Sequence, residues 1–243
     1  MNQPLHEKHL LELTSLPTAA GREGRVIDWI TRWVRRRRRI VMTTDHFGNE
    51  FLQQRGVASP NPIVFEAHMD HPAFVITGQR DDRHVEAVFR GGVGDDYFVG
   101  SPVRVHLTDG GTVRGVVTQR HPPQPPALDP RIIAVLDDAA AVQAGEVMTW
   151  DLPPAVIRDG HLHAPACDDL AGVAAALAAF DTVLGRQARR RRKTDVRVLL
   201  TRAEEVGFVG AMAACRGRHL PRRSRIIALE NSRAFADAPI HAW

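Results

Sequence analysis

The sequence predicts an α/β domain interrupted by a small inserted β-barrel, and three observations carry that prediction. Apolar residues recur at helical spacing in two segments near the start, between 5 and 34. A short unbroken apolar run at 63–67 is answered much later by alternating helix-like and strand-like segments from 169 to 229, the texture of a sheet with helices packed on it. Between them, from about Phe74 to Gly160, the chain turns to short β segments separated by Gly, Asp and Pro.

In order, residues 5–16 carry leucines at helical spacing, Pro17-Thr18-Ala19-Ala20-Gly21 stops that helix, and 23–34 forms a second amphipathic one. Residues 40–44 and 50–53 read as paired strands around the turn Asp45-His46-Phe47-Gly48-Asn49. Pro60-Asn61-Pro62 punctuates, and the strand at 63–67 then delivers His68 to its C-terminal edge, where open α/β sheets place their ligands. Strands follow at 85–89, 103–107, 113–118, 132–136 and 147–150, with Asp109-Gly110-Gly111 as a hairpin turn between the second and third. His121-Pro122-Pro123-Gln124-Pro125-Pro126 reads as a stiff exposed loop in which His121 is solvated. After Pro165 come a helix at 169–184, a strand at 196–201, a helix at 210–215 and a strand at 226–229. The expected division is a discontinuous α/β domain of residues 1–73 and 161–243 around a barrel domain of 74–160.

Composition excludes several classes. A chain of 243 residues, 44% apolar, can bury a substantial core. Residues 1–13 include His6, Glu7, Lys8, His9 and Glu12, so they lack the apolar centre of a signal peptide, and no later run is long enough to cross a bilayer. Cys167 and Cys215 provide no disulfide framework, so a cytoplasmic location with no membrane partner is expected. The net charge of +4 comes with the basic runs 35–39 and 189–193. Lys8 and Lys193 are the only lysines among 32 basic residues, which reads as an arginine bias at solvated positions, and no aromatic residues interleave to stack bases. Nucleic acid is therefore not an expected partner.

Three islands carry the chemistry: Glu66-Ala67-His68-Met69-Asp70, Cys167-Asp168-Asp169-Leu170-Ala171-Gly172 and Ala203-Glu204-Glu205-Val206-Gly207. They place one imidazole and several carboxylates at the mouths of apolar runs, the donor set of a two-metal hydrolase. His68 and Asp70 are two apart and share a face, so the carboxylate can accept one imidazole N–H while the other nitrogen meets a metal. Asp168 and Asp169 open an alanine-rich helix, where one can bridge two cations while the other caps or orients. Adjacent Glu204 and Glu205 diverge, which favours one as ligand and the other as general base. Glu230 closes the last strand with another edge carboxylate, and Cys167 reads as a small buried thiol.

Taken together, the islands resemble the co-catalytic zinc aminopeptidases of the glutamyl and deblocking aminopeptidase family, whose members build tetrahedral dodecamers. His-Met-Asp after an apolar strand, Asp-Asp opening a helix and Glu-Glu-Val-Gly before a Gly-Ala helix start occur in the family's order, and the resemblance spans about 10–231. It implies a zinc-peptidase-like mixed sheet flanked by helices, peptide substrates, a homo-oligomer and two divalent ions, zinc with cobalt or manganese as alternatives. It implies His68 and Glu230 on the first metal, Asp168 bridging, Glu205 on the second, Asp70 orienting His68, Glu204 as general base, and a cis peptide between Asp168 and Asp169. Three departures stand out. His71-Pro72-Ala73 replaces the family's Glu-Val-Gly or Glu-Ile-Gly, and Glu230 stands where aspartate is common, which keeps carboxypeptidase- and deacylase-type hydrolysis as alternatives. The family's last ligand is a histidine from a more distal segment, for which His241 comes too soon. The expectation is a weaker second metal, a catalytically impaired scaffold, or a piece of a longer protein.

Overall fold

In a computed structural model, residues 3–126, 128–188 and 193–232 are described; Arg189 to Arg192 of the second basic run, and His241, lie outside them. The chain runs α1 (Gln3–Thr14), α2 (Gly24–Arg35), β1 (Ile40–Thr44), β2 (Glu50–Gln54) and β3 (Ile63–His68). Then follow β4 (Ala73–Gln79), β5 (His84–Arg90), β6 (Pro102–His106), β7 (Thr112–His121), β8 (Arg131–Leu136) and β9 (Val147–Trp150). The small hairpin β10 (Val156–Arg158) and β11 (His161–His163) leads to α3 (Leu170–Gln187), β12 (Val196–Thr201), α4 (Val209–Arg216) and β13 (Arg225–Ala228).

Five strands form the main sheet in the order β1-β2-β12-β3-β13. β12 runs antiparallel to β2 and parallel to β3, and β13 continues parallel to β3. Alternation in the strands sets the two faces. Leu52, Ala67, Val198 and Leu200 pack under the helices with Leu13, Val26, Ile30, Leu170, Leu177 and Phe180. Phe51, Val64 and Leu199 face the other way and meet Ala214 of α4. Because Thr201 pairs with His68 and Ala228 with Glu66, the three parallel strands end near one line. The segments leaving that line are those singled out for chemistry.

The inserted strands close into a six-stranded barrel in the order β4-β5-β8-β7-β6-β9. Its interior holds Phe74, Ile76, Val85, Phe89, Phe98, Val103, Ile132 and Met148, all essentially buried. β4 had no counterpart among the predicted strands, for a physical reason. Phe74 and Ile76 enter the barrel, while Ala73 and Val75 pack outside it against Ala19 and Val147, so the strand is buried on both sides and shows no alternation. The hairpin of β10 and β11 also went unpredicted; it is short and largely exposed.

The first basic run is not uniformly solvated. Arg37 pairs with Asp181 at 3.0 Å and lays its guanidinium 3.8 Å over Trp33, tying the end of α2 to α3, while Arg35, Arg36, Arg38 and Arg39 are exposed.

Candidate metal centre

His68 is the last residue of β3 and is buried, so its ring is fixed by the sheet. Around its Nε2 lie Asp168 Oδ1 at 3.2 Å, Glu204 Oε2 at 3.9 Å and Glu230 Oε1 at 3.9 Å. Among the described residues, two groups have ligand atoms within 4.8 Å of one another: His68 with Asp168 and Glu230, and His68 with Glu204 and Glu205. The structure thus brings together the imidazole and four carboxylates predicted to act as ligands or base. The second group does not include Asp168.

Asp70 lies just behind. Its carboxylate is fully buried and 3.5 Å from His68 Nδ1, which sits closer to the Asp70 backbone carbonyl at 3.1 Å. The Asp70 oxygens also accept the N–H groups of Glu204 at 3.0 Å and Glu205 at 3.1 Å. One carboxylate therefore both faces the imidazole and sets where the two glutamates leave β12, a use that the spacing argument did not foresee.

Asp169 is fully buried as well, and the peptide preceding it is cis. Although it stands at the N-terminal boundary of α3, its side chain makes no cap bond there. It accepts the His68 N–H at 3.3 Å and the Asn231 amide at 2.7 Å, joining the ends of β3, β13 and α3. Gly172 makes room for this: a Cβ there would stand 2.1 Å from the Asp169 carboxylate. Cys167, beside it, is half-buried, and burial pushes its thiol pKa up.

Two further residues were missed by sequence reasoning. Glu23, fully buried, accepts N–H groups from Gly21 at 2.8 Å and Ala203 at 3.0 Å and pairs with Arg202 at 2.6 Å. Asn49 donates to Asp45 and Gly210 and accepts the Arg202 N–H at 3.2 Å. Together they fix the backbone on either side of Glu204 and Glu205. Neither carries a local signal: Glu23 reads as an ordinary helix start and Asn49 as a turn residue.

Burial of several acids around one imidazole sets the electrostatics. Burial raises Glu205 to about 8, the His68 charge lowering it and Asp168, Asp70 and Glu204 raising it again. Burial likewise raises Asp169 to about 7, and Glu204 and Glu230 are raised for the same reason. Burial acts to lower His68, but hydrogen bonds to Asp168 and Asp70 and the acids' charge outweigh it, carrying the ring to about 11. Asp168, despite burial, is lowered by its hydrogen bond to His68. Such a crowd of carboxylates is relieved by positive charge, and one imidazole with oxygen donors suits a divalent cation.

The sequence profile of the M42 glutamyl aminopeptidase family matches residues 48–222. The chain belongs to that family. The M42 match takes in His68, Asp70, Asp168, Glu204 and Glu205 and ends before Glu230. No curated protein sequence matches significantly. Among solved structures, an aminopeptidase from the archaeon Desulfurococcus kamchatkensis superposes with a TM-score of 0.74 at 23% identity, over 98% of this chain and 66% of that one. The TET1 peptidase of Pyrococcus horikoshii, which can assemble into a tetrahedron or a large octahedral shell, gives 0.73 at 21%, over 93% and 68%. A TET aminopeptidase from a marine sediment archaeon of the Thaumarchaeota gives 0.74 at 20%, over 98% and 68%. These likenesses establish the M42 fold, a helix-flanked mixed sheet with a closed barrel, and the chain spans about two thirds of each relative's length.

Proposed function

We propose that the protein is a metal-dependent aminopeptidase that removes N-terminal residues from peptides using two divalent ions, zinc in the first instance. The observation that carries this reading is the meeting of His68, Asp168, Glu204, Glu205 and Glu230 at one edge of the sheet in a chain of the M42 family. His68, Asp168 and Glu230 would hold one ion, and Glu205 together with Asp168 would hold the other. Such ions would supply Lewis acidity to the scissile carbonyl and lower the pKa of the attacking water. Glu204, 3.9 Å from the His68 ring, accepts that water's proton and returns it to the departing amine. Asp70 keeps His68 and both glutamates in register.

The finer features belong to the same proposal. The shells named for the Pyrococcus horikoshii relative support a homo-oligomer, and two free cysteines support a reducing compartment such as the cytoplasm. No helix among the described residues is long and apolar enough to cross a membrane. The six closed strands support the division into an α/β unit of 1–73 with 161–243 and a barrel unit of 74–160.

The test combines metal analysis of the purified protein with chromophore release from aminoacyl anilides. Metal-dependent release from free-amine substrates, reduced by about 10²- to 10⁴-fold in Glu204→Gln with metal content unchanged, is the expected result. Cleavage confined to N-acylated or C-terminal substrates would shift the reading to a deacylase or carboxypeptidase, and a protein that takes up no divalent ion would end it.

A further inference from the structure

We propose that His71 is a positioning residue that fixes Asp168 through its backbone, so that this histidine completes the metal centre without touching the metal. The proposal rests on the reading of His68, Asp168 and Glu230 as a metal group, and it concerns a stretch, His71-Pro72-Ala73, where this chain departs from the pattern it otherwise follows.

The geometry begins at the start of α3. Ala171 N–H bonds to Cys167 O at 2.9 Å and Val173 N–H to Asp169 O at 2.9 Å, while the carbonyl between them, that of Asp168, is instead bonded by His71 Nδ1. A carbonyl only accepts, so the imidazole carries its proton on Nδ1 and donates. That nitrogen is committed, and His71 falls in neither cluster of ligand atoms around His68.

Asp168 needs such a hold. Its side chain is 42% exposed, far more than that of buried His68, and it must place one oxygen within 3.2 Å of the His68 ring. The residues beside it are pinned, Cys167 O by the Asn231 amide at 3.1 Å and Asp169 by its buried carboxylate, but neither pin acts on the Asp168 peptide oxygen. The His71 ring does.

His71 is itself firmly mounted. Met69 N–H bonds to Thr201 O at 2.9 Å, and the Thr18 hydroxyl donates to Met69 O at 2.9 Å. Pro72 lies against Gly91, where a Cβ would stand 2.7 Å from Pro72 Cβ. The link from β3 to β4 is thus clamped between the sheet and the barrel, and His71 carries that rigidity to Asp168.

The experiment titrates Co²⁺ into the full chain and follows its visible absorption, with thermal melts alongside. His71→Ala is expected to weaken binding by about 10- to 100-fold, the usual cost of losing a group that orients a ligand. His71→Asn, whose amide N–H falls near the place of Nδ1, should restore most of the affinity, whereas His71→Gln, whose amide falls near Nε2, should not. In an Asp168→Ala background, His71→Ala should cost no further affinity. Undiminished affinity in His71→Ala overturns the proposal, as does an equal loss in the Asp168→Ala background. Should His71→Ala fail to fold, equal affinities of the Asn and Gln variants overturn it. A wild-type protein that binds no Co²⁺ overturns the metal-centre reading and this proposal with it.

Discussion

In the barrel, Phe74, Phe89, Phe98 and Trp150 pack ring against ring with centroids 4.8 to 6.0 Å apart. At the site end of the sheet, the equivalent space is filled by Glu23, Asn49, Asp70 and Asp169, fully buried and bonded to backbone N–H groups, Arg202 or Asn231. Apolar packing stabilises in proportion to area and is less directional than a hydrogen bond. Hydrogen-bonded carboxylates stabilise only when every partner is met, and in return they fix where each loop runs. The barrel is thus held by ring packing, whereas the site end of the sheet is held in place by buried polar groups.

Four measurements sharpen or break that contrast. The largest effect belongs to Phe89→Ala, which empties the centre of the barrel and should lower stability by about 4 kcal/mol in denaturant unfolding. Divalent-ion affinity should stay within a few-fold; if it collapses too, the two regions are not separable. Glu23→Ala follows at about 3 kcal/mol, because it removes the carboxylate facing the Arg202 guanidinium and leaves the N–H groups of Gly21 and Ala203 without their acceptor. Here turnover of aminoacyl substrates should fall along with stability, and unchanged turnover would show that Glu204 is held by other means.

The third effect concerns pH. His106, on the outer face of the barrel wall, has its pKa lowered from 6.5 to about 4, first by burial and then by Arg25 and Arg104, with Asp151 opposing them. Between those values the unfolded chain binds the extra proton, so stability is complete above about 6.5 and falls as pH drops towards 4, by on the order of 2 kcal/mol. A His106→Gln variant should flatten that slope in unfolding midpoints measured across the window. The smallest effect is Asp151→Asn. Its partners Arg104 and Arg114 lie at the barrel surface, the latter 65% exposed, so loss of these pairs should cost less than about 1 kcal/mol. A cost equal to that of Glu23→Ala would erase the distinction between surface and buried charge.

Much of this was legible in the sequence because periodicity reports burial. α1, α2, α3 and the strands of the main sheet announced themselves by apolar spacing, and His68, Asp168, Glu204, Glu205 and Glu230 by standing where apolar runs end. Apart from the short, exposed hairpin of β10 and β11, what was not legible shares one cause. β4 serves two cores at once and so loses its alternation, Arg37 looks like its exposed neighbours, and Glu23 meets Arg202 across a separation of 179 residues. A pattern within a window cannot register a partner that lies outside it.

The Glu23–Arg202 pair also bears on how this sequence can change over time. Either residue replaced alone by an uncharged one leaves a charge with no counterpart at the base of the loop bearing Glu204, so single steps that discard one charge of the pair are costly. The two positions should therefore drift as a unit, both retained or both exchanged for apolar residues of similar bulk. Among diverging relatives, that would leave a statistical tie between one residue at the head of the chain and another near its end, although no local motif joins them.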